Sequence, residues 1–120
     1  KGHGVGEYVE YTFNFNDLPE YNGTMGITSI IVANGYKKNE SVWRNNSRIK
    51  IFKMYINNKP FANLHLLDSF QIQKIELNTT ILFPAKENTY IKFEIVDVYP
   101  GKKYKDTAIS ELVFDGVGVH

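Results

Sequence analysis

The chain has 120 residues, of which 42% are hydrophobic and 14% aromatic, and its formal net charge is +1. This length suits one domain with a single core, and the hydrophobic share is that of a folded protein rather than a disordered one. The weak charge gives no reason to expect nucleic acid as a partner. No cysteine is present, which excludes disulfides, thiol catalysis and cysteine metal sites. No apolar run reaches the ~20 residues that span a bilayer, so we expect no membrane insertion.

Most of the chain is predicted to form strands. Alternating apolar and polar residues, or short apolar runs between turn signals, predict strands at residues 7–15, 27–33, 48–57, 61–66, 70–77, 90–98 and 107–115. Residues 27–33 are apolar on both faces, which favours a central strand. Asn57 and Asn58 predict a tight hairpin turn, because Asn tolerates positive φ. No segment has a helical period, so we predict an all-β, antiparallel sandwich of a single domain.

Two connections are predicted to be loops that can bind a ligand. Residues 36–46 are polar and contain the only tryptophan, Trp43, while residues 99–106 combine aromatic and basic side chains. Loops held on a β scaffold often carry binding function. Residues 78–88 are predicted to be a further loop, with a short pairing possible at residues 81–83.

Four blocks of the sequence resemble a known family in their order and spacing. The first is Gly-Val-Gly-Glu-Tyr-Val-Glu at residues 4–10, and the second is Ile-Thr-Ser-Ile-x-x-Ala-Asn-Gly-Tyr at residues 27–36. The third is Trp-Arg-x-Asn-Ser-Arg-Ile-Lys at residues 43–50. The fourth is Asp-Val-Tyr-Pro-Gly at residues 97–101, followed by Lys-Tyr-x-Asp-Thr-Ala-Ile-Ser-Glu at residues 103–111. With these blocks the chain resembles the NADase-type glycan-binding domain, a discoidin-like relative of the coagulation factor 5/8 C-type domains.

The resemblance implies a jelly-roll β-sandwich of the galactose-binding type. It also implies an accessory domain of a bacterial secreted, periplasmic or cell-surface protein, with a glycan or glycoconjugate as partner. Family members usually carry an earlier segment before the first block. We therefore expect residues 1–120 to be a fragment of a larger protein or to have lost that segment.

Seven residues are candidate ligand contacts: Tyr36, Trp43, Arg44, Asn46, Tyr99, Lys102 and Tyr104. An exposed Trp43 ring would stack on a sugar, and Arg44 and Asn46 would hydrogen-bond its hydroxyls. Alternatively, Trp43 packs under its own loop while Asn46 and Arg48 fix the loop backbone. The tyrosines and lysines of residues 99–105 suit an acidic glycan, or the tyrosines simply cap the sandwich. Tyr36 would contribute only if its loop reaches the same end.

Glu111 is the candidate metal ligand. In related jelly rolls a Glu at the start of the last strand helps to hold a structural Ca²⁺, which takes six to eight oxygen ligands. Asp106 and Thr107 are nearby oxygen donors. The alternative is that Glu111 pairs with Arg48 or with a lysine at the sheet edge.

Catalysis has little support in the sequence. The three histidines lie far apart along the chain. Two carboxylates among Asp97, Asp106 and Glu111 are only conceivable as a pair for glycoside cleavage. We therefore expect a non-catalytic carbohydrate-binding module that tethers a parent protein to glycans through loops at one end of the sandwich. The alternative is a protein–protein interaction or assembly domain of a secreted or envelope protein.

Overall fold

Two antiparallel β-sheets form the domain. The computed structural model describes residues 4–15, 20–35, 39–103 and 109–116. In this part of the chain the elements are β1 (Tyr8–Asn14), β2 (Gly26–Asn34), α1 (Glu40–Asn45), β3 (Arg48–Ile56), β4 (Lys59–His65), β5 (Gln73–Leu82), β6 (Asn88–Tyr99) and β7 (Ile109–Asp115). One sheet has the order β1-β6-β3-β4 and the other β5-β2-β7. Within each sheet, the neighbouring strands of the described residues pair antiparallel, which confirms the predicted all-β sandwich.

The core lies between the sheets and is rich in aromatic rings. Phe93 of β6 approaches Phe114 of β7 with ring centroids 6.0 Å apart, and Phe13 of β1 stacks on Phe83 at 4.6 Å. β2 pairs with β5 on one side and β7 on the other. The central position predicted for residues 27–33 is therefore confirmed.

The β3–β4 hairpin follows the predicted turn. Asn57 and Asn58 have φ values of 51° and 67°, as a two-residue turn of the primed type requires. The strands on either side, β3 and β4, pair in antiparallel register from Ile56 and Lys59 onwards.

Two predictions of secondary structure are wrong: one segment predicted to be a loop contains a helix, and one strand has different bounds. Residues 40–45 form helix α1 inside the segment predicted to be a loop; the Asn39 side chain caps it by accepting a hydrogen bond from the Val42 N–H at 2.9 Å. A helix of six residues is too short to show a period in the sequence. The strand predicted at residues 70–77 begins and ends later, since β5 spans Gln73–Leu82. The pairing of β5 with β2 shifts register between Ile27 and Ser29, so extra residues of β5 lie opposite this point. Asn78, with a φ of 62°, is one of them.

A buried amide joins the two sheets. Asn34, the last residue of β2, donates from Nδ2 to the carbonyl oxygen of Ile49 at 2.7 Å, and its Oδ1 accepts from the Ile49 N–H at 3.0 Å. Ile49 belongs to β3 of the other sheet. The amide thus takes the place of a neighbouring strand for one residue. Asn34 is completely buried, so no water can replace it.

We predict that Asn34→Ala destabilises the domain by about 3 kcal/mol, because it leaves a buried N–H and a buried C=O without partners. Chemical denaturation monitored by tryptophan fluorescence measures this loss. Asn63→Ala, at an exposed position of β4, is the control and should change the free energy of unfolding by less than about 0.5 kcal/mol. Equal effects of the two substitutions would contradict a sheet-joining role for Asn34.

The environment of Tyr11 makes the free energy of unfolding depend on pH in the alkaline range. Its ring packs edge-to-face against Phe114 at 5.1 Å, and burial raises the pKa of its hydroxyl above the ordinary value. The unfolded chain then loses this proton more readily than the folded domain. The protonated Tyr11 hydroxyl therefore makes its full contribution to the free energy of unfolding below about pH 10. This contribution is lost as pH rises through the raised pKa.

We predict that Tyr11→Phe lessens the loss of stability between neutral pH and about pH 11. Urea midpoints measured across this range provide the test. Tyr8→Phe is the matched control, since Tyr8 lies on the same strand but is 65% exposed. A Tyr11→Phe profile parallel to that of the unmodified chain would disprove the assignment.

Candidate binding site

Three chain connections meet at one end of the sandwich. They are the β2–β3 connection with α1, the β4–β5 connection, and the start of the β6–β7 connection. Together they line an open groove of about 610 Å³. The lining comes from α1, the first residue of β3, residues 68–71, and residues 100 and 102. Both sequence-predicted binding loops thus have described residues in one groove.

Arg48 connects the parts of this groove. Its Nε and Nη2 each donate to a carboxylate oxygen of Asp68 at 2.9 Å. Its Nη1 donates to the carbonyl oxygens of Asn46 at 2.9 Å and Arg44 at 3.1 Å. A single buried guanidinium therefore links the start of β3, the end of α1 and the β4–β5 connection. The fork geometry of arginine makes this possible, and lysine could not reproduce it.

Trp43 lies beneath the groove rather than on its surface. It is only 5% exposed, its Nε1 donates to the carbonyl oxygen of Asn34 at 2.9 Å, and the Arg48 guanidinium lies 4.5 Å over its ring. Gly35, with a φ of +81°, leaves space for the indole, since a Cβ there would lie 2.7 Å from Trp43 Cδ1. The expectation of an exposed stacking ring is wrong, because the side chain is buried and the Arg48 guanidinium lies over its ring. The alternative, in which Trp43 packs under its own segment, matches the structure.

Asn46 also has a structural contact. Its Nδ2 donates to the carbonyl oxygen of Val42 at 2.9 Å, which satisfies one of the last carbonyls of α1. The side chain is buried. Asn46 thus fixes the loop backbone, as the alternative prediction stated.

The β6–β7 connection docks on the end of α1. The N–H groups of Lys102 and Lys103 donate to the carbonyl oxygens of Arg44 and Asn45, both at 3.1 Å. Gly101 fits beneath this contact only because it lacks a Cβ, which would lie 2.5 Å from the Asn45 oxygen. Lys102 is thereby placed beside Arg44 at the rim of the groove.

Tyr99 supports the site from outside the groove. Its hydroxyl donates to the carbonyl oxygen of Leu66 at 2.8 Å, and the Lys50 ammonium lies 5.6 Å from its ring centre. Tyr99 therefore ties β6 to the β4–β5 connection. This agrees with the capping role that was the alternative for the tyrosines of this segment.

The sequence reasoning missed the β4–β5 connection as a wall of the groove. Residues 68–71 line it, and the Gln73 amide closes the base of the connection with two hydrogen bonds of 2.8 Å to the backbone of Leu67. One signal was available: a buried Arg48 needs a carboxylate, and Asp68 lies in a turn-like segment. Periodicity carries no information on a pairing across 20 residues of sequence.

The seven predicted ligand contacts therefore divide into three groups. Arg44 and Lys102 line the groove with exposed side chains. Trp43, Asn46 and Tyr99 have the packing and hydrogen-bonding contacts given above. Tyr36 and Tyr104 lie outside the described residues.

Glu111 is exposed on β7, where it lies opposite Ala33. The expectation that it pairs with Arg48 is wrong, because Asp68 occupies that guanidinium. In the described parts of the chain, no three acidic or histidine side chains are grouped so that they could hold a metal ion. Asp106 and Thr107 lie outside the described residues, so calcium stays a prediction based on the resemblance.

Comparison with known proteins gives the family. Residues 1–115 match the model of the NAD glycohydrolase translocation F5/8 type C domain. The chain belongs to this family. No curated protein sequence matches it, and among its described residues no helix is long and apolar enough to cross a membrane.

Two solved structures resemble this NAD glycohydrolase translocation-type domain. The first is the NMR structure of the Streptococcus pyogenes NAD⁺-glycohydrolase translocation domain, at 22% identity, with 96% of this chain and 91% of that chain covered and a TM-score of 0.59. The second is a family 35 carbohydrate-binding module from an environmental isolate, at 14% identity, with 100% and 73% covered and a TM-score of 0.54. At these identities the likeness supports the fold. The predicted family and its galactose-binding-like sandwich are confirmed.

We predict that Asp68→Asn destabilises the domain by about 2 kcal/mol, because it leaves the buried Arg48 charge without a counter-ion. Thermal and urea denaturation measure the loss. Glu76→Gln is the control, since it removes a carboxylate from an exposed ion pair with Lys74 and should cost less than about 0.5 kcal/mol. If the two variants are equally stable, Arg48 does not hold the groove together.

Proposed function

We propose that this domain is a non-catalytic glycan-binding module and that the end groove is its binding site. The observation that carries the proposal is the groove itself: three connections form it, and charged, amide and aromatic side chains line one concave space. Concave sites with a few convergent polar groups are the usual form of a ligand site. The parent protein would be a secreted or cell-surface bacterial protein, in keeping with the translocation domain named in the family description.

The groove lining has the chemistry that a sugar needs. The Arg44 guanidinium and the Gln71 amide supply donors, and the Asp68 carboxylate supplies acceptors for hydroxyl groups. Phe70 adds a partly exposed ring that packs edge-on against Trp43 at 5.7 Å. An aromatic face beside hydrogen-bonding groups suits a pyranose, which has both apolar C–H faces and polar edges.

The groove is also held in one shape before a ligand arrives. Arg48 fixes the positions of Asp68 and the end of α1, and Gln73 closes the β4–β5 connection. A site that is ordered in advance loses less entropy on binding. The name of the second structural relative, a carbohydrate-binding module, fits this proposal. Because an open groove makes few contacts, we expect weak binding that gains strength through multivalency.

A glycan array followed by calorimetric titration, with and without Ca²⁺, tests the proposal. We expect saturable binding of at least one glycan, weakened about tenfold by Phe70→Ala and by Arg44→Ala, as loss of a stacking ring or a charged hydrogen bond implies. Phe61→Ala is the matched control, since Phe61 is an exposed ring on β4 outside the groove. The calcium arm shows whether the affinity or the melting temperature depends on the metal predicted at Glu111. Absence of binding to every glycan would overturn the proposal.

A protein-interaction domain is the second candidate. Leu67 and Ile72, at the two ends of the β4–β5 connection, are 69% and 62% exposed, and exposed aliphatic side chains beside a groove favour a protein contact. The other structural relative is a translocation domain by name. A chain that binds no glycan but forms a stable dimer in analytical ultracentrifugation, lost in Leu67→Ser with Ile72→Ser, would support this candidate.

A further inference from the structure

Four of the five charged side chains lining the groove are paired with one another. Glu40 and Arg44 approach to 2.7 Å, and Arg48 and Asp68 to 2.9 Å. Lys102 is the fifth. In the part of the chain that the structure describes, its ammonium makes no ion pair. The lining therefore has one net positive charge.

The backbone holds Lys102 in place. Its N–H donates to the carbonyl oxygen of Arg44, and Gly101 before it packs against Asn45 and Asn46 and donates to Ser47 Oγ at 3.1 Å. The lysine thus starts from a fixed backbone position beside Arg44. Two cationic side chains extend from adjoining backbone at the groove rim: Arg44, which is paired with Glu40, and Lys102, which has no ion pair among the described residues.

The two ion pairs differ in how easily a ligand can replace a partner. Arg48 has an 8% exposed side chain and donates to backbone carbonyls as well as to Asp68. The Arg44 and Glu40 side chains are 55% and 56% exposed, and such exposed pairs contribute only about 0–1 kcal/mol. An incoming anion can therefore displace Glu40 from Arg44, whereas Asp68 stays on Arg48.

We infer that the groove binds a glycan that carries a carboxylate, with Lys102 and Arg44 as its anion contacts and Glu40 as an internal competitor for Arg44. This inference rests on the proposed glycan-binding function of the groove. The group now paired with Arg44 is itself a carboxylate, and the planar guanidinium matches its two oxygens. The Asp68 carboxylate and the Gln71 amide, which line the same groove, remain for hydrogen bonds with the sugar hydroxyls.

Three matched oligosaccharide probes test the inference: a uronate-containing one, the same compound with its carboxyl group reduced to an alcohol, and that reduced compound bearing a sulfate ester as its only charged group. Titrations of the full chain are followed by ¹H–¹⁵N NMR. We expect the uronate probe to bind about threefold to tenfold more tightly than the reduced probe, and the difference to shrink at high salt as exposed charges are screened.

Charge-neutralising variants locate the preference in the groove. Lys102→Gln should abolish the advantage of the uronate probe and leave the reduced probe unaffected. Glu40→Gln should raise affinity for the uronate probe about threefold, since it removes the competitor for Arg44. Lys59→Gln, at the opposite end of the sandwich, is the control and should change neither affinity.

The outcomes separate the two proposals. Equal affinity for the uronate and reduced probes, or tighter binding of the sulfated probe, overturns the carboxylate inference while glycan binding stands. A Glu40→Gln variant that weakens uronate binding disproves the competitor role. Absence of binding by every probe and every array glycan overturns both proposals.

Discussion

The ion pair between Arg48 and Asp68 is the interaction on which the candidate site depends. It joins the first residue of β3 to the connection that follows the neighbouring strand β4, and Nη1 of Arg48 holds the end of α1. A buried guanidinium must find partners for its N–H groups, because burying an unpaired charge is costly. The shape of the groove follows from satisfying this one side chain. Trp43 completes the arrangement by supplying a ring against the guanidinium face.

The family blocks mostly build this base and contribute little to the ligand-facing surface. The Asn-Gly pair at the end of the second block joins the sheets through Asn34 and leaves space for Trp43 at Gly35. The Trp-Arg and Ser-Arg residues of the third block give the indole, the guanidinium and the Ser47 hydroxyl that receives Gly101. These residues have geometric reasons to be where they are, and most of them are buried.

Six of the ten residues that line the groove lie outside those blocks, whereas Trp43, Arg44, Arg48 and Pro100 lie inside them. Glu40 precedes the third block, and residues 68–71 lie between the third and the fourth. The resemblance therefore covers much of the base of the groove and Arg44, while most of its wall was identified only from the structure. Function resides in the site built on a fold and not in the fold itself.

The sequence by itself determined the strand class, the central position of residues 27–33, the Asn57–Asn58 hairpin and the family. Each of these depends on local periodicity, turn chemistry or motif spacing, which are readable along the chain. It could not determine whether Trp43 is exposed, which carboxylate meets Arg48, or that residues 68–71 belong to the site. Those depend on contacts between residues distant in sequence, and only the packing of the two sheets brings them together. The length of β5 belongs with these, since a register shift opposite a neighbouring strand accompanies it. Helix α1 depends on a local N-cap, but with six residues it is too short to show a period in the sequence.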